Sequence, residues 1–251
     1  EGGRAAKGRA IVNLIGCEPD EKVSAFISVK EFNEDHYVVM ATEKGMVKKT
    51  KLSAYSNPRK KGIYAVEIRD GDKLIEARVS TGDNDILLGT RNGKSIRFSE
   101  EQIRASGRKT MGVKGITLSS EDDRLVGMLL IKREGTVLVA TEKGFGKRTE
   151  ISQYRAQKRC GKWVLSMKTT DKVGKMVTIK EVVDKDDLMI ITNQGVLIRL
   201  PVAQIRSIGR ATQGVKLIKL GEGTLVSSIT RIMSEEEEDE NNNTESTKTK
   251  E

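Results

Sequence analysis

The chain has 251 residues, a formal net charge of +9 and an aromatic content of only 4%. Two cysteines, at 17 and 160, and a single histidine support neither a disulfide framework nor a zinc site, and no apolar run approaches the ~18 residues of a membrane span. The charge is unevenly spread: residues 234–251 hold eight acids and two lysines, so residues 1–233 carry 43 bases against 28 acids, an imbalance that points to a polyanion, nucleic acid first.

Residues 1–36 read as the second half of a repeat. Lys7-Gly8-Arg9-Ala10 leads into the strand-like Ile11-Val12-Asn13-Leu14-Ile15, and a further strand is expected over 23–29. A chain that opens at Glu1 without Met is expected to be a piece of a longer protein. From residue 38 one pattern is then stated four times. An apolar β-branched run ends in Thr42-Glu43-Lys44-Gly45, Thr90-Arg91-Asn92-Gly93, Thr141-Glu142-Lys143-Gly144 and Thr192-Asn193-Gln194-Gly195, and a basic residue follows three or four positions later. Each copy predicts a tight hairpin, because only glycine takes positive φ cheaply at the turn. The turn glycines recur after 48, 51 and 51 residues, which marks a repeat architecture.

Two further strands complete each unit. One follows a basic residue and Gly62, Gly112, Gly161 or Gly214, giving strands over 63–68, 113–118, 163–167 and 215–220. The other is longer, over 74–79, 125–131, 176–183 and 225–232. Four strands in about fifty residues, with almost no helix, predict an all-β, propeller-like array of four-stranded blades. The helical candidates are short, as at Ser99 to Arg104, where Ser99 and Gln102 fit a capping box. The domain is expected over 1–233. Beyond it, Glu235 to Asn243 has nothing apolar to bury, so 234–251 is expected to be a disordered acidic tail.

Several blocks, in order and at blade spacing, resemble the C-terminal DNA-wrapping domain of the A subunit of bacterial DNA gyrase. They are Lys7 to Leu14, Met40 to Thr50, Gly144 to Thr149 and Gly209-Arg210-Ala211-Thr212-Gln213-Gly214-Val215. The resemblance covers essentially residues 1–233 and implies a β-pinwheel whose basic rim binds and bends duplex DNA of any sequence. That DNA would be presented to the cleavage core of a type IIA topoisomerase for ATP-dependent negative supercoiling. It also implies a cytoplasmic parent, a heterotetramer of the A-subunit core with the B subunit that uses ATP and Mg²⁺. This stretch itself is expected to be non-catalytic and to need no cofactor, metal or membrane. Family members usually have six blades, and about four and a half repeats are present here. The family's box, Gln-Arg-Arg-Gly-Gly-Lys-Gly, has its nearest match in Gln157-Lys158-Arg159-Cys160-Gly161-Lys162-Trp163, where Cys160 and Trp163 replace glycines. The alternatives are the related component of topoisomerase IV and a protein-binding propeller with no DNA role.

Candidate DNA-binding residues fall in two sets. Near the hairpin turns are Lys44, Lys48, Lys49, Arg91, Lys94, Arg97, Lys147, Arg148 and Arg199. In the loops are Arg59, Lys60, Lys61, Arg104, Arg108, Lys109, Lys114, Arg155, Lys158, Arg159, Lys162, Arg206, Arg210 and Lys216. Recurrence at one place in every repeat favours a continuous phosphate-gripping track over scattered surface charge. His36 and Cys160 have no catalytic neighbours, the four tyrosines are expected to pack, and Trp163 is expected in the core. The acidic tail, tethered beside this track, is expected to compete with DNA as an intramolecular polyanion. Removing 234–251 should tighten duplex binding at low salt; an unchanged titration would limit the tail to solubility.

Overall fold

The computed structural model of the chain describes residues 21–59 and 62–232. The first repeat gives β1 (Tyr37–Thr42), β2 (Met46–Lys51) and β3 (Leu74–Ser80). The second gives β4 (Asp85–Thr90), β5 (Lys94–Ser99), β6 (Val113–Lys114) and β7 (Leu125–Ile131). The third gives β8 (Thr136–Thr141), β9 (Phe145–Glu150), β10 (Val164–Leu165) and β11 (Met176–Val182). The fourth gives β12 (Asp187–Thr192), β13 (Leu197–Pro201), β14 (Val215–Lys216) and β15 (Val226–Ile232). Only short 3-10 turns interrupt them, at Leu52–Tyr55, Glu100–Gln102, Ile151–Gln153 and Val202–Gln204.

The strands form four antiparallel sheets in a propeller-like arrangement, with orders β3-β1-β2-β6, β10-β5-β4-β7, β11-β8-β9-β14 and β13-β12-β15. The sequence reading places all four strands of a repeat in one blade, and here the structure differs. The short strand of each repeat crosses to the blade before it, so β6 pairs with β2, β10 with β5 and β14 with β9. These exchanged strands hold only two residues each, much shorter than the spans expected over 113–118, 163–167 and 215–220.

The same rule accounts for two expected strands that do not form. Residues 63–68 and 23–29 are irregular. Their ladder partners would belong to a hairpin preceding β1, and no such hairpin lies among the described residues. Both segments instead pack on the outer face of the first blade, where Ala25, Ile27, Val29, Ala65 and Val66 cover Val38, Met40 and Leu52. Residues 1–20, 60–61 and 233–251 lie outside the described set, and with them the strand expected at Ile11 to Ile15 and the acidic tail.

The hairpin turns show why threonine recurs beside glycine. Gly45, Gly93, Gly144 and Gly195 have φ between 76° and 82°, and each N–H donates to the carbonyl of the Thr three residues earlier at 2.9–3.0 Å. In the first two blades the Thr hydroxyl also donates to an aspartate of the next turn: Thr42 to Asp72 at 2.6 Å and Thr90 to Asp123 at 2.9 Å. The register shifts beside Thr42, Thr90 and Thr192, a local bulge that aims the hydroxyl sideways.

Core clusters lie between blades. Val39 and Val47 of the first blade pack on Ile86, Leu88 and Phe98 of the second, and Leu87 on the opposite face meets Val137, Val139 and Met176 of the third. Central strands covered on both faces read as unbroken apolar runs. In the fourth blade β12 alternates between buried and half-buried residues, and Val196 and Leu197 are exposed beside the open edge of β13.

The capping expectation at Ser99 holds in part. Its hydroxyl accepts the Glu101 N–H at 3.2 Å, but Gln102 turns away to the next repeat, donating to the Gln157 carbonyl and accepting the Arg159 N–H.

Blade exchange requires close backbone approach at Gly112, which has φ +80°. A Cβ there would lie 2.3 Å from the Val47 carbonyl oxygen, whereas at Gly62 (φ +76°) it would meet nothing within 4 Å. Gly112→Ala should therefore destabilise the fold by about 2–4 kcal/mol and Gly62→Ala by only about 1 kcal/mol, the left-handed penalty alone. Urea unfolding of both variants checks this; equal losses would mean the exchange junction is not tightly packed.

Candidate nucleic-acid interface

The residues leading into each exchanged strand form a loop on the outer side of its host sheet. Residues 103–114, 154–165 and 205–216 contain eleven Lys and Arg and no Asp or Glu, and 55–66 has the same character. Each loop lies against the outer strand of the preceding hairpin. Ser106 N–H donates to Lys49 O, Gln157 N–H to Arg97 O and Ile208 N–H to Arg148 O, at 2.9–3.0 Å.

One arginine per loop then links it to the previous one. Arg108 Nη1 donates to the Tyr64 carbonyl at 3.3 Å, Arg159 Nη1 to Lys114 O at 2.5 Å and Arg210 Nη1 to Leu165 O at 2.9 Å. Successive loops are thus joined into one cationic band. Arg59, Arg104, Lys109, Lys114, Arg155, Lys158, Lys162, Arg206 and Lys216 are exposed along it, with Lys216 Nζ 5.7 Å from the centre of the Phe145 ring. Lys60 and Lys61 lie outside the described residues.

The hairpin set behaves differently. Lys48 and Lys147 are 1% and 0% exposed, and their ammonium groups face inward instead of lining a rim. Lys48 Nζ donates to the carbonyls of Ala65, at 2.8 Å, and Arg108. Lys147 Nζ donates to Gly209 O at 2.7 Å, to Arg210 O and to Thr212 Oγ1 at 3.1 Å. They staple the loops in place. Burial, and then the charges of Arg108 and Arg210, lower both lysine pKa values from 10.5 to about 8.

Lys49, Arg97, Arg148 and Arg199 occupy one position of the repeat, and each is bound to a carboxylate. Lys49 pairs with the fully buried Glu100 at 2.9 Å and Arg97 with Asp85 at 2.7 Å. Arg148 pairs with Asp184, and Arg199 with Asp187 at 2.5 Å. Arg97 and Arg148 also donate to carbonyls of the next repeat, Ile151 and Tyr154 for the first and Ile205 for the second. At the turns, Lys44 donates to Asp70 O and Arg91 pairs with Glu142 at 3.1 Å, so that end of the blades is of mixed charge. Lys44 and Arg199 are exposed, but proximity to a turn, the basis on which the sequence nominates this set, does not ensure it. The neutralising carboxylates sit one strand or one repeat away, where spacing along the chain does not show them.

Two aromatic expectations are corrected. Trp163 is half-buried, not core, and the ammonium of Lys94 sits 3.9 Å from its ring centre; Tyr64 is 73% exposed. They take the repeat position held by Gly112 and Gly214. In the blade that receives Trp163 the stapling lysine is replaced by the buried Ile96. Cys160 adopts φ 59°, the left-handed conformation of a glycine, with its Sγ 2.9 Å from Lys114 O. The loop therefore keeps a glycine-like shape despite its side chain. Among the described residues no cluster of His, Cys, Asp and Glu is arranged to hold a metal, and no helix is long and apolar enough to cross a membrane.

This architecture of exchanged four-stranded blades defines a pinwheel class of propeller. A family model described as DNA gyrase C-terminal domain, beta-propeller, matches residues 36–81, 84–132, 135–182 and 186–232. The chain belongs to that family. It is 44% identical over 236 residues to the A subunit of DNA gyrase from Staphylococcus epidermidis, covering 93% of this chain and 26% of that protein. It is 42% identical over 249 residues to the Staphylococcus aureus counterpart, covering 98% and 28%. The chain thus spans about a quarter of these relatives' length. A crystal structure of the C-terminal domain of DNA topoisomerase IV superposes with a TM-score of 0.84 at 26% identity, over 91% of this chain and 71% of that one. A DNA gyrase A C-terminal domain superposes at 0.81 with 22% identity, over 91% and 76%, a likeness of fold.

The staples make a prediction with a sign. A folded lysine of pKa about 8 releases its proton at lower pH than the unfolded one near 10.5. Between these values the unfolded chain binds more protons, so this contribution to stability rises with pH. Lys48→Met with Lys147→Met should cost about 1–3 kcal/mol per site through orphaned carbonyls, and should flatten the rise between pH 8 and 10.5. Chemical denaturation across that range checks it; parallel pH curves for variant and wild type would contradict it.

Proposed function

We propose that this domain binds and bends duplex DNA along the acid-free loop band, as part of a gyrase-type topoisomerase. The observation that carries the reading is the arginine relay of Arg108, Arg159 and Arg210, which joins four loops without an acid into one positive track. Such a track releases counterions from phosphates and reads duplex shape more than base sequence. In the parent protein the bent DNA would pass to the cleavage core. The partners there are the A-subunit core and the B subunit, in a cytoplasmic complex that uses ATP and Mg²⁺. The loops grip and the blades set the curvature. This stretch supplies no catalytic group to that reaction.

The binding set is narrower than the sequence suggests. Lys109, Lys114, Arg155, Lys158, Lys162 and Lys216 present charge outward. Arg108, Arg159 and Arg210 share theirs between carbonyl and solvent, and Lys48, Lys49, Lys147 and Arg148 act from beneath. Log affinity for duplex DNA should fall linearly with log salt, with slope roughly −0.9 per phosphate neutralised. Charge reversal at Lys109, Lys158 and Lys162 should flatten that slope and weaken binding alike across sequences. Reversal at Lys44 and Lys143, on the turn side, should change little. A salt-independent isotherm, or equal losses from the two sets, would refute the loop band as the interface.

A further inference from the structure

The long strands β3, β7, β11 and β15 are the inner edges of the four sheets, and they pack against one another in chain order. Where they converge they line a partly open cavity of about 330 Å³. Each of the four blades contributes one cation to its wall: Arg78 from β3, Lys132 just beyond β7, Lys180 from β11 and Arg231 from β15. At about 30 Å³ per water the space suits a small solute of roughly ten waters' volume, and is too small for a duplex.

One carboxylate, Glu181, shares the wall, and it and its neighbours are already engaged. Glu76 pairs with Arg78 at 2.6 Å, and Glu181 accepts the backbone N–H groups of Lys132 and Arg133 at 3.2 and 3.0 Å. Arg133 holds Asp186 at 3.0 Å. Three of the wall cations have fixed contacts: Arg78 with Glu76, Lys132 Nζ with Val79 O at 2.9 Å, and Arg231 Nη1 with Glu181 O at 3.1 Å. Lys180 differs. Among the described residues no hydrogen bond or ion pair holds its ammonium. Burial pushes its pKa down; the charge of Glu76 works against that, and those of Arg78 and Arg231 add to it. A lysine half-buried on a cavity wall, with Glu76, the carboxylate that acts on it, already paired to Arg78, lacks a partner of its own.

We propose that this cavity is a binding site for a small phosphate-class oxyanion, inorganic phosphate or pyrophosphate, held by Lys180 and Arg231 and flanked by Arg78 and Lys132. It is separate from the loop band and does not depend on the DNA reading. A multiply charged oxyanion offers several acceptors to donors arriving from different blades, and relieves the repulsion among them. Bound there, it would tie four blades together at their inner strands.

Calorimetric titration of the full chain with pyrophosphate, and separately with phosphate, tests the site. Saturable binding of either is expected, with proton uptake near the lowered pKa of Lys180 because the anion favours its charged form. Lys180→Met should weaken binding about ten- to hundredfold, the worth of one charge-assisted contact. Lys180→Arg should keep affinity and lose the proton uptake. Both retain the long aliphatic stem, and thermal unfolding without anion checks that they fold alike. Lys158→Glu with Lys162→Glu, on the loop band, should leave pyrophosphate affinity unchanged. Absence of saturable binding overturns the proposal. So does loss of binding in the loop variant together with its retention in Lys180→Met, which would place the anion on the DNA track.

Discussion

Each of the first three sheets is finished by two residues that arrive from the following repeat, and the rest of the structure depends on that exchange. A hairpin on its own is marginal in water. Here β6, β10 and β14 pair with the outer strand of the blade before, and the loops that deliver them are drawn along its outer side. The exchange couples neighbouring blades covalently, and the interblade cores of Val39, Leu88, Val139 and their partners make the coupling rigid. A basic loop in such a molecule is held at both ends by different blades.

That constraint explains the division of labour among the bases. A loop on the outer side of a sheet leaves backbone carbonyls facing a half-buried space, and these need donors. Lys48 and Lys147 supply them in two blades. Where Ile96 replaces the lysine, Trp163 stands in place of glycine and its ring meets the Lys94 ammonium. The charges left for a partner are those for which the fold has no internal use. They alternate along the band with arginines that are half committed, so the track is both rigid and hydrated. At the turn end the same blades present acids and bases together, as in Glu43 with Arg124 and Glu142 with Arg91. The sheets separate an acid-free, cationic side from one of mixed charge.

The four hairpins and their turn glycines were legible in the chain because each depends on contacts within about fifteen residues; the long strands pair across the whole repeat and showed only as apolar, β-branched runs. Alternation, β-branching and a glycine of positive φ are local constraints, and β7 follows the span read from the sequence residue for residue. The repeat period and the basic loops were legible too, since repetition shows in one dimension. Family membership followed from the same blocks. What tertiary structure alone decided was which blade each short strand completes and which bases reach solvent. Lys48 and Lys109 look alike in sequence, each a lysine beside another base. The first is sealed under a loop from 60 residues away, and the second stands outside it. Pairing across repeats and desolvation are set by contacts between distant segments, and the cation-lined cavity at the inner strands, drawing one side chain from each of four repeats, exists only once those repeats are stacked.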